Sequence, residues 1–284
     1  MPSTDRGAKR RRVLVTGGTS GIGLAIANRF ADGGDHVLAT ARSEERVSQF
    51  AALAAAEGRS IRYLPLELTS RESIDALVER VTRDGEGLDV LVNNAGAGIL
   101  GAVEEVDEEE ALRQFAVNLF GPLALTRRLL PALRQNRGHI VWIGSIAGRV
   151  ALPFQAHYSA TKAAVAAISD AMRLELAPHG VCVTCVEPGD FATGFTASRR
   201  VRSAPASLYA TVMERCRAEV ERQERTAPEP SVVGDIVWQV CGSKRPPARR
   251  PAGPGARTIC ALLGIVPRPI VERLVARRYD VGGI

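Results

Sequence analysis

The chain has 284 residues, 45% of them hydrophobic and 24% charged, a balance that fits one large globular domain with a full core. Its net charge is +6, yet the arginines are dispersed apart from Arg10-Arg11-Arg12 and the tail, and aromatics amount to only 5%, which argues against a nucleic-acid surface. No apolar run reaches the roughly 18 residues of a membrane span, no apolar signal region follows the charged N-terminus, and the five scattered cysteines form no metal or disulfide framework; the expected location is a reducing cytoplasm.

Residues 1–10 are small, polar and charged and read as a flexible arm, with one domain over 11–284. Arg12-Val-Leu-Val-Thr16 is a short buried strand. It runs into Gly17-Gly-Thr-Ser-Gly-Ile-Gly23 and then into helical periodicity over 24–31, closed by Gly33-Gly34. Residues 36–40 form a second strand, 51–57 an Ala-rich helix stopped by Gly58, and 61–66 a third strand. Ser70-x-x-Ser73 opens another helix, and 88–92 is a fourth strand leading into Asn93-Asn94-Ala95-Gly96. A long helical region spans 107–135, with a kink or boundary expected at Gly121-Pro122. A fifth strand covers 139–143, a helix carrying Tyr158 and Lys162 runs to about 177, and a sixth strand, 181–186, ends at Pro188-Gly189. Cys182 and Cys185, three apart in that strand, face opposite sides and read as buried thiols.

Strands and helices alternate, and the strands are apolar throughout rather than on one face. That is the mark of a parallel sheet covered on both sides, so the expected fold is α/β, a doubly wound parallel sheet. Residues 194–228 are polar and Arg-rich, with a helical stretch near 208–223; 244–257 are dense in Pro, Gly and Arg, and 259–276 are amphipathic. The extension over 244–284 is expected to cap a cleft, touch a partner subunit or lie on a membrane surface.

A strand, a glycine-rich turn and a helix in succession make a phosphate-binding turn. The glycines permit close backbone approach, and the helix N-terminus offers N–H groups to a pyrophosphate. The second strand ends Thr40-Ala41-Arg42, without the acid that would hold ribose hydroxyls, so Arg42, with Ser20 nearby, is placed for a 2′-phosphate. Tyr158 and Lys162, four apart on a helix, share a face. An ammonium there favours the phenolate, and such a tyrosine passes a proton to or from an alcohol oxygen.

Thr16-Gly-Gly-Thr-Ser-Gly-Ile-Gly23, Asn93-Asn94-Ala95-Gly96, Asn118, Ser145, Tyr158-Ser-Ala-Thr-Lys162 and Pro188-Gly189 together resemble the short-chain dehydrogenase/reductase family, in its order and spacing, over about residues 11–195. Val37-Leu-Ala-Thr-Ala-Arg42, residues 88–101 and Leu152-Pro-Phe154 are similar to its 17β-hydroxysteroid dehydrogenase-like branch. The resemblance implies a Rossmann fold, NADP(H) as cofactor, and a ketone or secondary alcohol as substrate, bulky and apolar, steroid-like or polyketide-like. A β-ketoacyl thioester reductase or a dinucleotide-sensing binding protein are the rival readings.

By the same resemblance Tyr158 donates the proton, Ser145 fixes the substrate oxygen, Lys162 holds the nicotinamide ribose and Asn118 holds a relay water. Cofactor contacts fall on Gly17, Thr19, Ser20, Gly21, Ile22, Gly23, Arg42, Glu67, Leu68, Asn94, Ala95, Gly96, Tyr158, Lys162, Pro188, Gly189 and Thr193. Glu67 departs from the family's usual Asp. Ala97, Arg149, Phe154, Gln155, Glu187 and Phe191 are expected to wall the substrate pocket, under a lid formed by 194–228. A homodimer or homotetramer is expected through the long helix and the tyrosine helix, whose Ala160, Ala163, Ala164 and Ala167 suit close packing.

Overall fold

Residues 10–202 and 207–282 are described by a computed structural model; most of the expected N-terminal arm and part of the expected lid lie outside them. In chain order the elements are β1 (Arg12–Val15), α1 (Gly21–Asp32), β2 (His36–Ala41), α2 (Glu44–Ala56), β3 (Ile61–Pro65), α3 (Arg71–Thr82), β4 (Val90–Asn93), β5 (Ile99–Gly101), α4 (Glu108–Phe115) and α5 (Gly121–Gln135). They continue with β6 (His139–Ile143), α6 (Ala156–Leu176), β7 (Cys182–Pro188), β8 (Arg200–Arg202), α7 (Ala210–Thr226), α8 (Ser231–Gly242), β9 (Arg249–Ala252), α9 (Ala256–Leu262) and α10 (Arg268–Arg278).

Seven strands form one parallel sheet in the order β3-β2-β1-β4-β6-β7-β9. The order reverses beside β1, where Val13 pairs with Val37 of β2 on one side and Val90 of β4 on the other. Successive side chains of a strand point to opposite faces, and β1 feeds both cores. Leu14 packs with Leu77 of α3, Leu129 of α5 and Val165 of α6. Val13 and Val15 pack with Ile26 and Phe30 of α1 and Val233 and Val237 of α8. All ten of these side chains are at most 1% exposed, and each contributes about 1.5–3 kcal/mol by leaving water.

Two elements of the main fold depart from those expected, while the boundary expected at Gly121-Pro122 is present, with a π turn before it. The helix α8 goes unforeseen between Pro228-Glu-Pro230 and Gly242. It lies close on α1, because a Cβ on Gly234 would sit 2.8 Å from Ala25 O. The strand β9 has no apolar run to betray it: it reads Arg249-Arg-Pro-Ala252 and closes the sheet edge, where a proline N–H is not needed. The long helix is interrupted before Gly121-Pro122, by a π turn over Ala116–Phe120. Pro122 has no N–H for the carbonyl of Asn118 four residues back, which fits a local widening. Gly121 is needed because a Cβ there would run into Leu68 O. A small parallel pair, β5 with β8, lies apart from the main sheet.

Candidate active site

A cleft of about 1060 Å³ opens at the carboxyl ends of the strands, beside the order reversal. Its first wall is the turn between β1 and α1. Gly17 and Gly21 have φ of +66° and +49°, which side chains disfavour. A Cβ on Gly23 would run into Gly17 O and Asn94 Nδ2. Ser20 precedes α1 in extended conformation without a side-chain cap, leaving the first-turn N–H groups to a ligand. Thr16 Oγ1 accepts from the N–H groups of Asn94 (3.0 Å) and Ala95 (3.1 Å), while Asn94 Nδ2 donates to Thr16 O (2.9 Å). These bonds lock the Asn-Ala-Gly turn to the glycine turn. The cradle fits a dinucleotide pyrophosphate, and Thr19, Ile22, Ala95 and Gly96 line it.

Beyond β2, Arg42 is exposed at the cleft edge. Arg46, in the first turn of α2, reaches back to Thr19 O (3.4 Å) and Oγ1 (3.3 Å). Glu67 and Leu68 also line this end, but the Glu67 carboxylate accepts from Thr69 N (3.0 Å) and Oγ1 (2.8 Å).

The other wall comes from β6, α6 and β7. The helix α6 sets Lys162 Nζ 5.7 Å from the centre of the Tyr158 ring. Lys162 is 6% exposed, and Nζ donates to Ile143 O at 2.8 Å. No carboxylate among the described residues forms an ion pair with it. A buried ammonium held by one carbonyl has two donors left, and it is costly until a ligand takes them. Ser145 faces the same cleft, its Oγ accepting from Ala147 N (3.1 Å) and keeping its own proton to donate. Asn118 lies behind this wall, in the π turn. Its Oδ1 accepts from Ala97 N (2.7 Å), and its Nδ2 donates to Ala97 O (3.0 Å) and Thr161 Oγ1 (3.1 Å), tying the turn after β4 to α6. Pro188, Gly189 and Thr193 line the cleft after β7.

The short chain dehydrogenase family model matches residues 11–203. The chain belongs to that family. It is 34% identical to the 3-ketodihydrosphingosine reductase of Bacteroides thetaiotaomicron over 88% of this chain and 90% of the relative. It is 30% identical to the NADPH-dependent 3-dehydrocapnine reductase of Ornithobacterium rhinotracheale over 93% and 95%. A solved short-chain dehydrogenase from Streptomyces avermitilis superposes with a TM-score of 0.81 at 31% identity, covering 96% and 97%. This short-chain dehydrogenase is thus an oxidoreductase of a family that works with a nicotinamide dinucleotide.

Six residues were expected to wall the substrate side of this short-chain dehydrogenase, and three line the cleft: Ala97, Gln155 and Phe191. Arg149 and Glu187 do not. Glu187, 1% exposed, accepts from Arg149 Nη2 (2.7 Å) and Nε (3.0 Å) and pairs with Arg249 of β9 (3.3 Å). That network joins the loop after β6 to β7 and the edge strand β9, and the Glu187 hydrogen bond and charge raise the Arg149 pKa. Phe154 turns away as well, packing edge-on to Tyr209 at 6.1 Å, next to the cluster of Cys216, Val220 and Tyr279.

The roof of the cleft comes from residues that pattern and spacing did not single out. Glu224 of α7 accepts from Thr193 Oγ1 (2.8 Å), Phe195 N (2.8 Å) and Thr196 N (3.0 Å). Burial pushes its carboxyl up, but the hydroxyls and N–H groups of Thr196, Thr193 and Phe195 outweigh it and leave the pKa below the usual value. Glu110 of α4 holds Arg200 (3.0 Å) and Arg202, so β8 is pinned over β5; the Arg202 hydrogen bond leads in drawing the Glu110 carboxyl down to about 2. Phe195 lies 5.7 Å from the Tyr158 ring, and Arg199 stands over both rings. From the tail, Ile259, Leu263, Val271, Leu274 and Val275 line the cleft. Arg46 alone had a usable signal, a second arginine four residues after Arg42.

Proposed function

We propose that this oxidoreductase interconverts a ketone and a secondary alcohol with NADP(H), on a bulky, largely apolar substrate. The observation that carries the reading is the buried Lys162 ammonium beside Tyr158, on the cleft that Ser145 also faces. When bound, the nicotinamide supplies the hydride for the carbonyl carbon. The chain's own groups handle the oxygen. Tyr158 Oη donates a proton to it, and Ser145 Oγ donates a hydrogen bond that fixes its position and stabilises its charge. The Lys162 ammonium lies beside the Tyr158 ring, and its free donors hold the nicotinamide ribose hydroxyls. A water at Asn118 returns the proton.

Arg42 and Arg46 support NADP over NAD, because both carry charge to the end of β2, a strand that ends without an acid of its own. The name of the Ornithobacterium relative supports the same preference. The aliphatic cap from α9 and α10 supports an apolar substrate. A homodimer or homotetramer belongs to the reading: Ala160, Ala163, Ala167 and Leu174 leave one exposed stripe on α6, and Leu112 and Phe120 are exposed on the long helix. The test is an NADPH-consumption screen over steroids, cyclic and aromatic ketones and acyl thioesters, with the Tyr158→Phe protein as blank. If no carbonyl compound draws NADPH above that blank, the reading fails.

A further inference from the structure

Within the roof of the cleft, Arg199 forms no ion pair among the described residues. Arg199 Nη1 is buried and has no hydrogen-bond partner among the described residues. The guanidinium carbon lies 5.7 Å from the centre of the Tyr158 ring and 5.1 Å from that of Phe195. Its stem passes over Gly98, where a Cβ would sit 2.9 Å from Arg199 Cγ, so the absence of a side chain there makes its room. The neighbouring acids are engaged elsewhere. Glu110 holds Arg200 and Arg202, Glu224 holds the 193–196 backbone, and Asp190, which senses the Arg199 charge, faces Arg278 at 4.0 Å. With Lys162 on the same tyrosine ring, the reacting end of the cleft carries two cations, and neither forms an ion pair among the described residues. Stacking on aromatic rings offsets part of the cost of burying a guanidinium, but it leaves the in-plane donor unsatisfied.

We propose that Arg199 selects substrates that carry an anionic group, a carboxylate, sulfonate or phosphate, a few bonds from the reacting carbonyl. This rests on the ketone–alcohol reading of the site and adds the chemistry of the substrate's polar end. The anion accepts the orphaned Nη1–H in a charge-assisted bond, which fixes the carbonyl against Tyr158 and Ser145. The apolar remainder of the molecule runs under α9 and α10, so the preferred substrate is an anionic amphiphile.

The experiment compares medium-chain oxo-fatty acids, with the ketone at successive positions, against their methyl esters and against sulfonate and phosphate analogues of the same length. NADPH oxidation is followed with wild type, Arg199→Gln and Arg199→Lys, and thermal melting checks that each variant is folded. The expected result is a wild-type preference for acids over esters. Arg199→Gln then lowers the acid-to-ester ratio of kcat/KM by roughly 10–100-fold, mostly through KM, and Arg199→Lys restores part of it. Equal loss for acid and ester overturns the proposal, because it makes Arg199 a positioning residue for Tyr158. So does weakened NADPH binding by the Gln variant in a fluorescence titration, which assigns the guanidinium to the cofactor phosphates. Should no ketone be reduced, the reductase reading fails separately. The anion site is then read by calorimetric titration of the saturated fatty acid, where equal affinity for wild type and Arg199→Gln overturns it.

Discussion

Tyr158→Phe deletes one oxygen atom and leaves the ring on its Phe195, Arg199 and Lys162 contacts. The expected loss in kcat is about 10²–10⁴, with NADPH affinity preserved, since a positioned proton donor acts on the chemical step alone. Near-full turnover by that variant would remove Tyr158 from the role. At the far end of the cleft, Arg42→Asp sets a carboxylate where the 2′-phosphate is expected. The NADPH-over-NADH ratio of kcat/KM should fall by at least about 10-fold, in line with a lost charge-assisted hydrogen bond; an unchanged ratio transfers the selection to Arg46. The residues of these two tests were legible because short covalent spacings carry them: a glycine turn, a strand end, one turn of a helix. Arg149 and Glu187 were misread for the opposite reason. Whether Glu187 faces the cleft or an arginine depends on β9, which enters the sheet some sixty residues later and brings Arg249 with it.

Among the elements, the β6–β7 pair carries a pH dependence. His139 opens β6 with Nε2 3.0 Å from Thr184 Oγ1 of β7. Burial, reinforced by Arg173 and Arg11, lowers its pKa from 6.5 to about 4. The folded chain therefore keeps His139 neutral at pH values where the unfolded chain binds a proton. Stability from this group is complete above about 6.5 and is lost as pH falls toward about 4, on the order of 3 kcal/mol in all. The Tm of wild type should drop across that window, and part of the drop should disappear in His139→Gln; parallel profiles for the two proteins would refute the assignment. The central strands and their helices were readable because burial on both faces writes an uninterrupted apolar run, as in Val13-Leu14-Val15. An edge strand such as β9 meets no such demand and can be written in arginine and proline.

For the whole molecule, the exposed Leu112, Phe120 and Leu174, at 61%, 58% and 77%, are large apolar side chains on the faces of the long helix and α6. If these faces meet a second copy, light scattering gives a multiple of the 30.3 kDa chain mass, and Phe120→Glu with Leu174→Glu reduces it to one chain. A monomeric wild type would dispose of the assembly. The general α/β architecture was visible in advance at this scale, and so were the segments of the roof, as a lid over 194–228 and a tail over 244–284; the residues that meet there were not, since they converge from 194–202, α7, α9 and α10 without any repeating pattern. One bond in that roof joins the two ends of the cleft. Glu224 belongs to the helix over the substrate end, yet it holds Thr193, which lines the cofactor end. Neither ligand can then displace its own half of the cover without disturbing the half that serves the other. Binding free energies at the two ends are therefore linked and reciprocal, each ligand changing the affinity for the other by the same factor.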